Sequence, residues 1–399
     1  MREYDLAGGN TNPETFPTED IARVAAKAIT DLGGDLARYP GDLGHAGLRQ
    51  LMAQRESVRE GIAVNPEHIA LTNGSMQAVT LMAEALMNKP GDVIIVEELC
   101  YMGTLYAYKQ VGAKLVGIPL DEHGMRLDRL EASLEQLHRE GTPPAFIYTT
   151  STYQNPTGAV MPRAQRLEMI DVARRFDTII VEDNCYADVH FEGDKQPALY
   201  ALDDSPNQVY IGSVSKILGP GVRLGYFLAS PPMLDRILER RADGGNSLLA
   251  AAVIAEYFKE DLWAHIDRAN DALRVKRDAL IEVLSEHLGD ICTWSHPVGG
   301  LFLWLRFPDD VDTGQLARLA AAEGVRYVPG SQFHFDGADV SCLRLAFGHA
   351  PEADIREGIP LLAQCIRAAR RDVASTAELS TAEPTAADVS EPLASARAS

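Results

Sequence analysis

The chain has 399 residues and a mass of 43.5 kDa, which is enough for two domains. Hydrophobic residues make up 46% and charged residues 24%, so a packed core is expected and disorder as the main state is excluded. The formal net charge of −20 argues against nucleic acid and anionic membranes as principal partners. A basic pocket for one small anion remains compatible with this total charge.

The N-terminus has no secretory signal, and no apolar run is long enough to span a membrane. Five cysteines are scattered without zinc-site or disulfide spacing, and the ten histidines form no metal-binding pair. These features predict a cytoplasmic protein without a metal. Residues 372–399 are rich in Ala, Ser, Thr and Pro and lack aromatic residues, so they are expected to form a disordered tail.

Short apolar runs alternate with amphipathic stretches between residue 75 and about residue 230. The runs predicted to form strands are Val93–Val96, Leu115–Ile118, Phe146–Thr149, Ile179–Glu182, Val209–Gly212 and Gly225–Leu228. Helical spacing of apolar residues predicts helices at Met76–Met87 and Ala164–Phe176. Such alternation is typical of an α/β domain with a mostly parallel sheet, which binds ligands at the carboxyl ends of its strands.

A long helical region is predicted from about Pro232 to Leu288, and a smaller α+β domain follows it. The predicted elements of that domain are strands at Trp294–His296, Leu301–Phe307, Val325–Val328 and Cys342–Phe347 and helices near Thr313–Glu323 and Glu352–Arg371. We therefore divide the chain into four parts. They are an N-terminal segment (1–40) that packs with the small domain or a partner, a large domain (41–275), a small domain (276–371) and the tail (372–399).

A lysine follows one of the predicted strands in the sequence Tyr210-Ile-Gly-Ser-Val-Ser-Lys216. Desolvation and nearby cations would lower the pKa of Lys216, which suits a Schiff-base former or general base. Ser213, Ser215 and Arg223 could hold a phosphate beside it. The simplest alternative is a surface lysine after a polar turn. The S-x-x-K motif of serine acyl-enzymes also matches, but its S-D-N and K-T-G companions are absent. In those enzymes the motif begins a helix, whereas here it follows a predicted strand.

Three further motifs lie at predicted strand ends or at a helix start. Asp183 ends a buried strand, where a carboxylate needs a cation such as a pyridinium nitrogen, unless it caps the next turn. Asn155 precedes a proline and is held extended, so its amide can reach a ligand oxygen, although an ordinary turn also explains it. Gly74 leads into a helix whose free N–H groups at Ser75 and Met76 favour a phosphate; N-capping by Ser75 is the alternative.

The order and spacing of these motifs resemble those of the class I/II aminotransferases, which are pyridoxal-phosphate enzymes of fold type I. The resemblance is greatest to the subgroup of 2-aminoadipate and aromatic aminotransferases. The motifs that carry it are N-G-S-M-Q at 73–77, C-Y-M-G at 100–103, Y-Q-N-P-T-G at 153–158, E-D-N-C-Y at 182–186, G-S-V-S-K at 212–216 and Arg223. It spans about residues 8–371 and implies a large domain with a mostly parallel mixed sheet and a smaller α+β domain.

The resemblance also implies roles for individual residues. Lys216 would hold pyridoxal 5′-phosphate as an internal aldimine and shuttle a proton, Asp183 would pair with the pyridinium nitrogen, and Tyr101 would stack on the ring. The other cofactor-binding residues would be Ser75, Met76, Asn155, Tyr186, Ser213, Ser215, Arg223 and, from the second subunit of a homodimer, Tyr39. The substrate would be bound by Gly9, Asn155 and Arg344, with Arg344 gripping its α-carboxylate.

The implied reaction transfers an amino group between an L-amino acid and a 2-oxo acid. Family members usually carry a covering helix ahead of the first motif, whereas only seven residues precede Gly8 here, so the wall that selects the substrate side chain would be missing or would come from other segments such as Gly41–Gly47. This departure leaves open a fold-type-I enzyme that performs elimination, replacement or cyclisation. A non-catalytic regulator on the same fold is a second alternative, although it would usually need a DNA-binding domain. The glycine-rich turn at Gly244–Ser247 has no assigned role.

Overall fold

The computed structural model of the protein describes residues 2–371, and the tail predicted at 372–399 lies outside them. The strands in chain order are β1 (Tyr4–Asp5), β2 (Ile69–Thr72), β3 (Val93–Glu97), β4 (Lys114–Ile118), β5 (Leu120–Asp121), β6 (Gly124–Met125), β7 (Phe146–Thr149), β8 (Ile180–Asp183), β9 (Gln208–Ser213), β10 (Gly225–Ala229), β11 (Thr293–Trp294), β12 (Phe302–Arg306), β13 (Val325–Arg326), β14 (Val328–Pro329) and β15 (Cys342–Ala346). The six strands predicted between residues 75 and 230 agree with these bounds to within one residue at each end.

The helices in chain order are α1 (Thr18–Leu32), α2 (Ala46–Glu60), α3 (Ser75–Leu86), α4 (Met102–Gln110), α5 (Leu127–Arg139), α6 (Arg163–Arg175), α7 (Leu199–Leu202), α8 (Pro231–Leu238), α9 (Leu248–Leu288), α10 (Thr313–Ala322) and α11 (Glu352–Ala368). The long helical region predicted from about Pro232 to Leu288 consists of α8 and α9, and the chain leaves the helix between them at the glycine-rich turn. Gly244 and Gly245 in that break both have positive φ angles, which a continuing helix does not accommodate. Across residues 2–371, no helix combines the length and the apolar character needed to cross a bilayer.

Seven strands form the large sheet in the order β2-β10-β9-β8-β7-β3-β4. Strands β9, β8, β7, β3 and β4 pair in parallel, whereas β10 runs antiparallel to both of its neighbours. Side chains alternate between the faces: in β3, Ile94 and Val96 pack with α3 and α4, and Val93 and Ile95 pack with α5 and α6. Both faces are therefore covered, which explains why these strands are nearly continuous apolar runs.

The small sheet has the order β11-β12-β15-β14 and is antiparallel throughout. The predicted strand Val325–Val328 is two strands in different sheets, since Val325 pairs with Tyr4 of β1 and Val328 pairs with Arg344 of β15. Through this β1–β13 pairing, the start of the N-terminal segment joins the core of the small sheet. Helix α1 of the same segment instead packs with α9 beside the large sheet.

Helix α9 contributes to two hydrophobic cores. Its residues from Ala251 to Ile266 pack beside the large sheet, and those from Leu280 to Leu288 pack with the small sheet and α11. The boundary predicted at residues 275/276 falls inside this helix, between the two stretches. We propose the same division of the chain on this basis.

A buried ion cluster joins α2 to the large sheet. Arg55 donates from Nε to Asp188 Oδ2 at 2.6 Å and from Nη1 to the Tyr226 hydroxyl at 2.8 Å. The neighbouring Glu56 accepts hydrogen bonds from Arg59 and from Tyr226. Burial disfavours the charged form of Asp188, but the guanidinium groups of Arg55 and Arg59 hold its pKa below the usual value. Asp188 is therefore ionised in the folded protein.

Replacing the central carboxylate of this cluster should destabilise the fold. In Asp188→Leu, the buried Arg55 loses its close carboxylate partner, and we expect the free energy of unfolding to fall by about 3–5 kcal/mol in urea titrations. The control is Asp310→Ala, which breaks the exposed pair of Asp310 with Arg370 and should change stability by less than about 1 kcal/mol. Equal losses in the two variants would contradict a structural role for the buried cluster.

Candidate active site

A cavity of about 350 Å³ opens at the carboxyl ends of the parallel strands, between the large sheet, the small sheet and the N-terminal loop. The predicted site residues that line it are Gly9, Ser75, Met76, Tyr101, Asn155, Asp183, Tyr186, Ser215, Lys216, Arg223 and Arg344. Residues that are distant in sequence thus meet in one place, because consecutive parallel strands end at the same edge of the sheet.

Lys216 follows β9 in a tight turn. The turn is fixed by the Ser213 hydroxyl, which accepts a hydrogen bond from the Ser215 N–H at 3.1 Å. Lys216 Nζ donates to the Gly9 carbonyl at 2.7 Å and stands 5.8 Å from the centre of the Tyr186 ring. Burial lowers the pKa of Lys216, and the positive charge of Arg344 lowers it further. A larger fraction of the amine is therefore neutral and nucleophilic than in an exposed lysine.

Asp183 ends β8 on the floor of the cavity and is only 8% exposed. The Tyr148 hydroxyl donates to its Oδ2 at 2.7 Å, and the Cys185 thiol donates to its Oδ1 at 2.7 Å. Burial raises the pKa of Asp183, while these hydrogen bonds and the charge of Lys216 oppose that rise. A cation placed in the cavity beside Asp183 would favour its ionised form.

The start of α3 forms one end of the cavity. Gly74 precedes the helix with a φ of +78°, and no side chain caps the first turn in the described part of the chain. Arg223 lies across this turn and donates from Nη2 to the Asn73 carbonyl at 3.1 Å. The positive φ favours glycine here, and a Cβ atom at Gly74 would come within 2.6 Å of that Nη2 atom and displace the guanidinium. Free N–H groups, the Ser215 hydroxyl and a guanidinium make this end suited to a phosphate.

Arg344 reaches the opposite end of the cavity from β15 of the small sheet. Its Nη1 donates to Asn155 Oδ1 at 2.9 Å and its Nη2 to the Ala7 carbonyl at 2.7 Å. The guanidinium carbon lies 4.1 Å from the centre of the Phe302 ring, and Nε has no hydrogen-bond partner among residues 2–371. Burial lowers the pKa of Arg344 to about 10. A buried guanidinium with unused donor capacity is suited to binding a carboxylate.

Two predicted site residues lie outside the lining of the cavity. Ser213 is 1% exposed and its hydroxyl is directed to the turn before Lys216. Tyr39 is 86% exposed and lies beside Gly244. Within a single chain, neither residue contributes to the wall of the cavity, so their predicted contacts with a phosphate stay predictions.

Several residues of the cavity were not found by sequence reasoning. They are Ala7, Asn10, Met102, Tyr148, Thr150, Cys185, Pro220, Phe302 and Val328. Cys185 had a usable signal, because it stands two residues after Asp183 in the E-D-N-C-Y motif. The sequence signal for Tyr148 was weaker. Side chains alternate along β7 and the residues after it, so Tyr148 lies on the same face as Thr150. Phe302 and Val328 come from the small sheet, and no local motif marks them.

Comparison with known proteins assigns the chain to a family. A family model described as Aminotransferase class I and II matches residues 5–360. The chain belongs to this family. The aromatic-amino-acid aminotransferase 1 of Thermococcus litoralis is 35% identical over 366 residues, which cover 91% of this chain and 87% of that protein. The 2-aminoadipate transaminase of Thermus thermophilus is 31% identical, covering 91% of this chain and 89% of that protein.

A solved relative extends the comparison to the fold. The crystal structure of LysN, an alpha-aminoadipate aminotransferase from Thermus thermophilus, superposes with a TM-score of 0.85 at 29% identity over 92% of each chain. That crystal contains N-(5′-phosphopyridoxyl)-L-leucine. The fold-type-I architecture and the family resemblance predicted from the sequence motifs are thus confirmed.

The cavity of this class I/II aminotransferase fits pyridoxal phosphate, the cofactor of the family. The uncapped start of α3, with Ser215 and Arg223 beside it, supplies donors for a phosphate. Asp183 is buried with neutral hydrogen-bond donors and suits a protonated ring nitrogen. Lys216 supplies an amine of lowered pKa for covalent attachment.

Below the cavity, Glu97 ends β3 as a second buried carboxylate. Its Oε1 accepts hydrogen bonds from the Thr149 hydroxyl at 2.7 Å and the Thr150 N–H at 2.9 Å, and its Oε2 accepts one from the Gln154 amide at 2.8 Å. Burial raises the pKa of Glu97 to about 7 despite these donors. The folded protein therefore binds a proton at Glu97 more tightly than the unfolded chain does.

This raised pKa predicts a pH dependence of stability. The contribution of protonated Glu97 is complete below the unfolded pKa of 4.5 and is lost as the pH rises through about 7. Relative to Glu97→Gln, which does not titrate, the wild type should lose about 3 kcal/mol of unfolding free energy between pH 4.5 and 7.5. Urea titrations of both proteins at several pH values measure this difference. A difference that does not vary with pH would contradict the assignment.

Proposed function

We propose that the protein is a pyridoxal-phosphate-dependent aminotransferase of amino acid metabolism, which moves an amino group between an L-amino acid and a 2-oxo acid. The observation that carries the proposal is the meeting of Lys216, Asp183, Arg344 and the start of α3 around one cavity. These groups provide an amine, a carboxylate, a carboxylate-binding cation and a phosphate-binding helix end. Together they form the complete set that the reaction needs.

The cofactor end of the site is held by side chains from several strand ends. When bound, pyridoxal phosphate supplies an electron-withdrawing ring that stabilises negative charge on the substrate Cα. Asp183 would keep a proton on the ring nitrogen, because its burial makes a nearby positive charge favourable. Asn155 donates to the Tyr186 hydroxyl at 3.3 Å, and both would bind the ring 3-oxygen. Tyr101, which is 38% exposed at the mouth of the cavity, would cover the ring face.

The substrate end is organised by Lys216 and Arg344. Arg344 would bind the substrate α-carboxylate through two donors and so fix the direction of the Cα–H bond. Lys216 Nζ would then take the Cα proton and return it to the carbon that receives it in the aminated cofactor. Gly9 and Ala7, whose carbonyls now accept hydrogen bonds from these two cations, mark where the substrate would lie. The second half of the reaction runs the same steps in reverse with a 2-oxo acid.

A single half-reaction tests the proposal. Purified holoenzyme is mixed with acidic, basic, aromatic or branched amino acids without any oxo acid, and cofactor absorbance and ammonia are recorded. An aminotransferase should convert its bound cofactor to pyridoxamine phosphate without releasing ammonia, and the responding amino acids identify its donor class. Ammonia release with the original cofactor absorbance restored would instead indicate elimination. Cofactor binding without any response to amino acids would indicate a regulator.

Lys216→Ala should separate cofactor binding from catalysis. The phosphate contacts remain, so the variant should still bind pyridoxal phosphate, but borohydride should no longer attach it to the protein. Transamination should fall by about 10²–10⁴-fold or more, because the proton carrier is lost. The control is Lys276→Ala, which removes another buried lysine, bonded to Asn12 Oδ1 at 2.9 Å, and should keep borohydride attachment. Attachment that persists in Lys216→Ala refutes the assignment.

Arg344→Ala should weaken substrate binding more than cofactor binding. Loss of the charged donors is expected to raise KM for α-amino acids by about 10–100-fold, with cofactor content unchanged. Arg344→Lys keeps the charge but not the paired donors, so its KM should lie between those of the wild type and the alanine variant. Steady-state kinetics and cofactor absorbance measure both quantities. A fall in cofactor content with unchanged KM would place Arg344 in the cofactor or structural network instead.

We also propose that the protein is a cytoplasmic homodimer in which Tyr39 reaches the phosphate of the second subunit. The strong exposure of Tyr39, which lies outside the cavity of its own chain, supports a contact with the second subunit. The five cysteines are unpaired in the structure, as is usual in a reducing compartment. Sedimentation should give about twice the chain mass of 43.5 kDa. Cell fractionation tests the location, and a monomer with full activity would exclude the shared site.

A further inference from the structure

The break between α8 and α9 carries an ion pair that contacts the phosphate end of the cavity. The side chain of Arg241 is fully buried, and its Nε donates to Asp243 Oδ1 at 2.7 Å. Its Nη1 donates to the carbonyls of Asp42 at 2.6 Å and of Leu71 at 2.5 Å. Leu71 belongs to β2, which leads directly into the turn before α3. The pair is thus anchored to the strand that positions this turn.

Asp243 continues the connection into the first turn of α3. Its Oδ2 accepts hydrogen bonds from the side-chain amides of Asn73, at 3.2 Å, and Gln77. Gln77 Oε1 in turn accepts from the Asn73 backbone N–H at 2.7 Å. The Asn73 carbonyl accepts from Arg223 Nη2 at 3.1 Å. The Asp243 carboxylate therefore binds both Asn73 and Gln77, which stand on either side of Ser75 in this turn. Through Asn73 it is also connected to Arg223.

The glycines after Asp243 explain why this carboxylate can reach the turn. The Gly245 N–H donates to Asp243 Oδ1 at 3.0 Å, with a φ of +103° that favours glycine. A Cβ atom at Gly245 would lie 2.5 Å from the Gly41 carbonyl, and one at Gly244 would lie 2.9 Å from the Tyr39 ring. The glycine-rich turn therefore packs closely against the segment of Tyr39 and Gly41.

We infer that Asp243 is a positioning residue that holds the first turn of α3 and the Arg223 guanidinium in the arrangement that binds the phosphate monoester of the cofactor. Asp243 itself lines no part of the cavity and touches the ligand only through other residues. Although burial opposes ionisation, Arg241 and Gln77 hold its pKa at about 2, so it is charged at every pH suitable for an assay. The inference rests on the proposed function only in requiring that the cofactor carries a phosphate.

The test compares two ligands that differ only in the phosphate. Apoenzyme is titrated with pyridoxal phosphate and with pyridoxal, and the dissociation constants are measured by absorbance or fluorescence. Asp243→Asn keeps one oxygen for Arg241 and Gly245 but replaces the acceptor of the two amides with a donor. We expect affinity for pyridoxal phosphate to fall about tenfold and affinity for pyridoxal to stay within about twofold.

Two further variants make the result decisive. Gln77→Ala should reproduce the selective loss, and the double variant should be no weaker than either single one, because both remove the same connection. Asp310→Asn, in the distant exposed pair with Arg370, is the matched control and should bind both ligands normally. If Asp243→Asn does not fold, the loss expected in Gln77→Ala alone decides the question.

Three outcomes would overturn the inference: unchanged affinity for pyridoxal phosphate, an equal loss for both ligands, or additive losses in the double variant. The proposed function fails separately, if holoenzyme binds the cofactor with normal phosphate selectivity but no amino acid converts it to the aminated form. A wild-type apoenzyme that prefers neither ligand would exclude both.

Discussion

The active site depends on a buried carboxylate that receives hydrogen bonds but, among residues 2–371, forms no close ion pair. Asp183 receives its hydrogen bonds from Tyr148 and Cys185, both neutral, and burial raises its pKa. Five residues later, Asp188 is also buried, but Arg55 neutralises it and its pKa is lowered. The free-energy cost of burying a carboxylate is thus offset in two ways, by neutral hydrogen-bond donors at Asp183 and by an arginine at Asp188. Asp188 is satisfied within the fold and stabilises it, whereas Asp183 is left able to interact favourably with a cationic ring.

The cations of the site show a complementary arrangement. Lys216 and Arg344 donate to the backbone carbonyls of Gly9 and Ala7, which are neutral acceptors from one glycine-containing loop. Their charges are therefore solvated by the protein without being cancelled by it. An anionic ligand can replace these carbonyls with a gain in electrostatic energy, because charged acceptors form stronger hydrogen bonds with charged donors. The N-terminal loop consequently belongs to the site, although it lies far from the parallel strands in the sequence.

The sequence predicted those elements whose local pattern has a single physical cause, such as a continuous apolar run that is buried on both faces of a sheet. Strands buried on both faces were located to within a residue. Lys216, Asp183 and Asn155 were predicted as site residues because they end or follow such strands, and all three line the cavity. Sequence reasoning failed where tertiary context decides: β2 contains only Ile69 and Leu71 as large apolar residues, and Val325–Val328 divides between two sheets. Tyr148 and Phe302 were missed for the same reason, since only packing brings them to the cavity. The role of Arg344 came from family resemblance, because its local sequence does not distinguish it from a salt-bridged arginine.

Helix α9 has a consequence for how the two halves of the molecule can move. It passes from one hydrophobic core to the other without a loop, so the two cores are connected by a helix. Across its 41 residues, only Asp261 has non-helical backbone angles, with a φ of −143° and a ψ of 20°. Beyond Asp261, any rotation of the small sheet towards the large one must bend an intact helix or carry the helix with it. The kink at Asp261 is therefore the place where α9 can bend without breaking a regular helical turn.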